Sequence, residues 1–389
     1  MVSIANPPRD GNIARWGRVT PAPDINQKSF RWVSMFKRSL GLDAIRLIAC
    51  LMVVVFHASK TASMPRYFGP QWHDWLFEVE HIRMPLFFVL SGYLMSTLYL
   101  RRTSGSALAA DFLLKRAKKI FPLYWLALGV MCVATILVVG SLPFDDASGV
   151  IKTLLLLPQN PSEVGGTGAP IVYPAWVLQY EILAYGLVAL SMCSRLLLGG
   201  FLWFWPAIHV LGAGSEIWLL SFLGSQWLLI FWFGVVLGQF LGGVEVRRDV
   251  AFLWAGAWFV VALVTRQEGL IDKVTEELTF GLAFCGLILA VRSFSYQGVQ
   301  RWLAAIVRRG SDASYATFLF HIGVVSAGCR IVQACGLAGA AGHIVSVLLC
   351  LVVSLAVGVW VNRHIEPRIA HLLNRKATEA PVATPSGNV

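Results

Sequence analysis

The chain has 389 residues, 57% of them hydrophobic and only 14% charged, with a mean hydropathy of +0.66. Soluble domains carry about 25% charged residues, so there are too few polar side chains here to coat a water-facing surface; a soluble protein is excluded and the solvent must be lipid. The net charge of +11 does not indicate nucleic acid, because Lys and Arg cluster between apolar runs and form no stripe interleaved with aromatics.

Residues 1–40 are basic and Pro-containing and have no apolar stretch of signal-peptide type, so the sequence predicts a cytosolic, partly disordered segment that is not cleaved. Apolar runs of spanning length follow at 42–60, 82–100, 119–140, 174–194, 196–212, 217–241, 250–266, 276–292, 314–332 and 343–363. Gly199, Gly200 and Pro206 interrupt the fifth of these. A shorter apolar piece, Ile151 to Leu157, is too brief to cross and reads as re-entrant or interfacial. Most of the 32 Lys and Arg fall in alternate connections when the N-terminus is placed inside, which predicts N-in and C-in with an even number of crossings. The expected architecture is therefore an all-α polytopic membrane bundle of about ten transmembrane helices, covering 41–366, with a cytosolic tail at 367–389. The longest internal connection, 141–173, is rich in Pro and Gly and suits an irregular loop facing a substrate. The seven cysteines lie in apolar segments without metal-ligand spacing, so no metal site or disulfide framework is expected.

Ionisable residues inside apolar spans are costly unless they have a partner or a task, and four groups stand out. In the first span Asp43 and Arg46 precede His57. Arg46 and His57 are eleven residues apart, close to three helical turns, so they share a face about 16 Å apart along the axis. An imidazole there can act as a general base, or it can be a core histidine bonded to a carbonyl. The second group, Lys115-Arg116-Ala117-Lys118-Lys119, sits at the mouth of the third span. Arg116 and Lys119 share a face and suit the phosphates of a cytosolic cofactor, or a plain positive-inside anchor. The third is Trp176 with Glu181 and Tyr185, the last two one turn apart. Glu181 could orient His57, position an acceptor hydroxyl or make a structural ion pair. The fourth is His321, deep in the ninth span, where a structural hydrogen bond competes with function.

These groups, in this order, resemble the membrane-bound acyltransferase-3 family, which acylates bacterial surface and exported polysaccharides. "LDAIRLIACLMVVVFH" is similar to the family's first helix, with Arg46 and His57 in its basic-residue and His places. "MPLFFVLSGYLM", "RAKKIFPLYW", "PAWVLQYEILAY" and "SYATFLFH" resemble four further family segments. Lys119 replaces the usual second arginine, which keeps charge but loses bidentate contact, and Val177 stands where the family commonly has Ser.

The resemblance implies an acyl-CoA-dependent O-acyltransferase of a bacterial inner (cytoplasmic) membrane, multi-pass, acting on an exported or cell-surface polysaccharide or its lipid-linked precursor. Acyl-CoA, most often acetyl-CoA, would be the co-substrate, held by Arg46, Arg116 and Lys119. His57 would be the base, with Glu181 and Asp43 as candidates for orienting it, and Trp176, Tyr185 and His321 toward the acceptor. Partners would be acyl-CoA, the glycan and membrane lipid, with no metal and no nucleic acid; the oligomeric state is not legible. The competing reading is a polytopic transporter or flippase with an intramembrane proton relay, against which stands the lack of a visible inverted repeat.

Overall fold

The computed structural model describes residues 38–71, 74, 80–101, 105–142, 146–164, 168–169 and 171–378. The expected disorder before residue 38 lies outside these residues, as does the end of the tail from 379. No strand occurs among the described residues, and ten helices are long and apolar enough to cross a membrane.

In chain order the helices are α1 (Leu40–Ala62), α2 (Glu80–Met95, continuing as a π segment Ser96–Leu100), α3 (Ser106–Val139), α4 (Ala147–Leu154) and α5 (Pro161–Val164). Then come α6 (Ala175–Cys193), α7 (Arg195–Gly212), α8 (Trp218–Leu223) and α9 (Gln226–Val236, continuing as a π segment Leu237–Leu241). The last five are α10 (Arg248–Gln267), α11 (Lys273–Val291), α12 (Arg301–Ala334), α13 (Gly339–His364) and α14 (Glu366–Thr378). Helices α8 and α9 form one interrupted span, broken at Gly224 and restarted where the Ser225 hydroxyl accepts from the Trp227 amide.

Every expected span is present, but two helices run far beyond their apolar stretches: α3 begins at Ser106 and α12 at Arg301. Their polar starts carry helix-compatible pairs such as Asp111 and Lys115, bridged at 2.7 Å one turn apart. Hydropathy marks where a helix meets lipid, not where it starts. The first part of the segment at 367–389 lies in a helix, α14, that packs against α3.

Helices α1, α12 and α13 pack around small side chains: Ala58, Ala62, Val325, Cys329, Val347 and Cys350 are all buried at one end of the bundle. At the other end Arg38 and Asp312 are paired at 2.8 Å, and Asn362 donates to the Asp312 carbonyl at 3.3 Å. The start of α1 and the end of α13 thus lie on one side, as an even number of crossings requires. Helices α2 and α9 approach backbone to backbone. A Cβ on Gly92 would lie 2.0 Å from the Phe231 carbonyl oxygen, and one on Gly234 2.1 Å from that of Val89. One turn further Ser96 donates to the Val235 carbonyl at 2.9 Å.

The 141–173 connection is strapped down rather than loose. The Tyr124 hydroxyl donates to the Thr153 carbonyl (2.7 Å), the Trp125 indole to Leu154 (2.8 Å), and the Gln179 amide to Leu157 and Gly168 (3.1 and 3.0 Å). Ala169, Ile171 and Val172 are buried, so the connection folds back onto the bundle before α6 starts.

Candidate active site

Two layers of polar and ionisable side chains occupy the bundle. The first lies toward the Ala58–Cys350 end. His57 on α1 and His321 on α12 have ring centroids 5.2 Å apart. His321 is fully buried, and its Nδ1 lies 2.7 Å from the Phe318 carbonyl oxygen, one turn back. A carbonyl only accepts, so Nδ1 carries the proton and Nε2 presents a lone pair. That Nε2 has no hydrogen-bond partner among the described residues. His57 is half-buried, and the Tyr173 ring stands edge-on to it at 5.8 Å. Tyr173, 45% exposed, comes from the end of the strapped connection. Arg83 of α2 stacks its guanidinium over Phe56 at 4.1 Å, buried, with its charge reaching both imidazoles.

Neither Arg83 nor Tyr173 was singled out by the sequence. The signal for Arg83 was available: an arginine one residue inside an apolar span. Trp176 stands in an aromatic layer instead, against Tyr180 (6.0 Å) and Trp227 (5.6 Å), with Phe222 stacked on Tyr180 at 4.3 Å.

The second layer lies toward the Arg38 end. Arg116 on α3 is enclosed by three rings, 5.4 Å from the centroids of Tyr99 and Phe112 and 5.2 Å from that of Tyr185, and donates to the Tyr99 hydroxyl at 3.2 Å. A mere anchor would reach for water; this guanidinium is held by cation–π contacts and points inward. The Tyr185 hydroxyl donates to Glu181 one turn away. Arg46, half-buried on α1, belongs to the same layer: its charge, with those of Arg116 and Lys119, acts on Glu181.

Three expectations change accordingly. Glu181 has cationic neighbours rather than imidazoles, so it does not orient His57. Tyr185, only 6% exposed, is a wall of the arginine cage rather than a surface for the acceptor. Asp43 is held by Arg38, by the Tyr296 hydroxyl (2.7 Å) and by the buried Ser311 hydroxyl (2.9 Å). It lies fourteen residues, about 21 Å of helix, from His57, and it latches α1 to α12 and to the connection before it. His321, by contrast, joins His57, and its carbonyl bond fixes the tautomer.

No group of His, Cys, Asp and Glu able to hold a metal occurs among the described residues. The site is thus an imidazole pair at one level and a caged cationic cluster at another, with Arg46 and His57 joining the levels along one face of α1.

The model of the acyltransferase-3 family, an acyltransferase domain, matches residues 39–363. The exopolysaccharide production protein ExoZ of Rhizobium meliloti is 27% identical over 297 residues, which is 74% of this chain and 90% of that one. Protein 2 in the picA locus of Rhizobium radiobacter is 30% identical over 168 residues, 39% of this chain and 82% of that protein. Nodulation protein 10 of Rhizobium leguminosarum bv. viciae is 32% identical over 115 residues, 29% of each chain. No solved structure matches the chain significantly. With the family match spanning nearly all the described helices, this multi-pass membrane protein belongs to the acyltransferase-3 family.

Proposed function

We propose that the protein transfers an acyl group, namely acetyl, from acyl-CoA to a hydroxyl of an exported or cell-surface polysaccharide or its lipid-linked precursor, in a bacterial inner membrane. The observation that carries this reading is the vertical order of the two layers: a cationic cluster suited to phosphates, and about 16 Å along α1 an imidazole pair with an open lone pair. The basic end faces the cytosol, where acyl-CoA is made, and the Tyr173 end receives the glycan. The similarity to an exopolysaccharide production protein supports the acceptor class.

In this reading Arg46, Arg116 and Lys119 hold donor phosphates, and the thioester extends to the imidazole layer. His57 takes the proton of the acceptor hydroxyl as its oxygen attacks the thioester carbonyl. Arg83 stabilises the oxyanion of the tetrahedral intermediate. Collapse breaks the carbon–sulfur bond, and the CoA thiolate takes the proton back from His57. His321, with Nδ1–H fixed on Phe318, offers its Nε2 lone pair to a protonated His57 and so stabilises the cation. Glu181 and Tyr185 keep the arginine layer in register.

The test is release of free CoA thiol from acetyl-CoA by the purified protein in nanodiscs with polysaccharide acceptor, together with mass spectrometry of the polysaccharide from a deletion strain. An unacylated polysaccharide and thiol release that needs His57 support the reading. Glycan movement across the bilayer without thiol release would leave the transporter reading standing.

A further inference from the structure

Outside the two layers, one feature combines a cavity with unused charge. A groove of about 310 Å³ runs between α3 and α14, lined by Lys115, Lys118 and Lys119 on one wall and Glu366 at its edge, with an apolar floor of Pro122, Leu123, Ile369, Ala370 and Leu373. Lys115 is engaged by Asp111 at 2.7 Å. Lys118 has no ion pair among the described residues. Lys119 faces two ways, since its charge acts on Glu366 in the groove and on Arg46, Arg116 and Glu181 within the bundle. The groove therefore opens beside the cationic layer, and one residue connects them.

With Lys115 shared with Asp111, Lys118 and Lys119 against Glu366 still leave an excess of positive charge suited to phosphate oxygens. The apolar floor suits a flat heteroaromatic base. The volume falls at the lower limit of ligand pockets, enough for a nucleotide head and too small for a whole thioester donor. Resting on the acyl-CoA reading above, we infer that this groove binds the 3′-phosphorylated adenosine diphosphate end of the donor. Lys118 contacts the 3′-phosphate and Lys119, with Arg116 and Arg46 behind it, the pyrophosphate, from which the pantetheine arm enters the bundle. On this account α14 is a wall of the donor site rather than a trailing tail.

Binding of CoA, dephospho-CoA and 3′,5′-ADP to the full-length protein in neutral-lipid nanodiscs tests this, alongside kcat/KM for acetyl-CoA and acetyl-pantetheine. In the wild type, 3′,5′-ADP competes with CoA, and CoA binds more tightly than dephospho-CoA. Lys118→Glu, and separately Ala370→Trp, which fills the floor, weaken CoA and 3′,5′-ADP at least tenfold and narrow the preference for acetyl-CoA over acetyl-pantetheine by a similar factor. Thermal unfolding of each variant reports folding, and Lys118→Ala provides a milder change of the same sign. Variants that keep wild-type CoA affinity overturn the groove while leaving the donor reading intact; loss of a co-purified anionic phospholipid with CoA affinity kept would assign the groove to a lipid headgroup instead. A wild type that binds neither CoA nor 3′,5′-ADP overturns the donor reading, and the groove assignment with it.

Discussion

The Nε2 lone pair of His321 is buried without a partner among the described residues, and the ring that carries it lies 5.2 Å from that of His57. A polar atom left unsatisfied in a dry interior costs about 1–3 kcal/mol, a cost borne where a substrate or a transient charge completes the contact. His57→Ala is expected to abolish acyl transfer, and His321→Ala to lower kcat by about 100-fold or more, while both insert and fold. The double variant should be little worse than His57→Ala, because residues that act as one unit are not additive. Turnover of acetyl-CoA with polysaccharide acceptor measures this; near-normal kcat in His321→Ala would return that residue to a structural role.

Arg116 separates charge from shape. Arg116→Lys keeps the cation but loses the planar stack against Tyr99, Phe112 and Tyr185. Its KM for acetyl-CoA should rise about tenfold, near the 1.4 kcal/mol scale of one such cation–π contact or more, with kcat changed less. An equal fall in kcat with unchanged KM would argue that Arg116 serves the chemistry and not the donor.

Glu181→Gln tests whether that carboxylate works at the chemical step. Its neighbours are Tyr185, Arg116, Lys119 and Arg46, so its loss should act on donor KM and leave the pH profile of kcat in place. A displaced pH profile would tie Glu181 to the base after all.

Asp43 is a stability residue in this structure. Asp43→Ala strands the Ser311 and Tyr296 hydroxyls and leaves the Arg38 guanidinium to Asp312, at an expected cost of about 1–3 kcal/mol, seen as a lower unfolding midpoint in detergent. Alkaline pH reports the same latch. Burial, then the hydrogen bond to Asp43, pushes the Tyr296 phenol up to about 12. Between the ordinary value near 10 and that value the folded protein keeps a proton that the unfolded chain releases. Stability should therefore fall as pH rises through this window, and Tyr296→Phe should flatten that fall.

The α2–α9 contact predicts a packing defect of unusual severity for one methyl group. Gly92→Ala or Gly234→Ala drives a Cβ into a backbone carbonyl, costing about 3 kcal/mol or more. Thermal unfolding and membrane yield measure it, and a wild-type midpoint for either variant would show that the helices can separate freely.

The ten spans, His57, Arg46 and the Arg116–Lys119 pair were legible because each rests on a local rule: apolar length, helical period, or charge at a span's mouth. The level of Glu181 was not. Counting residues into α6 assumes that all helices begin in one plane, whereas Tyr173, just before α6, already stands against His57, so that Glu181 falls about two turns further on. That start puts Glu181 among the cations. Pairing of His57 with His321 was also beyond reach, since the residues lie 264 positions apart and meet only through the packing of α1 on α12. Gly92 and Ser96, like Gly234 and Gly238, did carry a readable spacing of four, which the chemistry-bearing residues overshadowed.

Helix α1 carries the Asp43 latch, the Arg46 charge and the His57 imidazole in a single unbroken stretch. An added residue anywhere between Arg46 and His57 would turn the imidazole by about 100° and raise it by about 1.5 Å, away from His321, without altering a single chemical group. The count of ten intervening residues thus fixes the relation between the two layers: this helix works as a ruler, and on the proposed reading what it measures is the gap that a thioester donor spans.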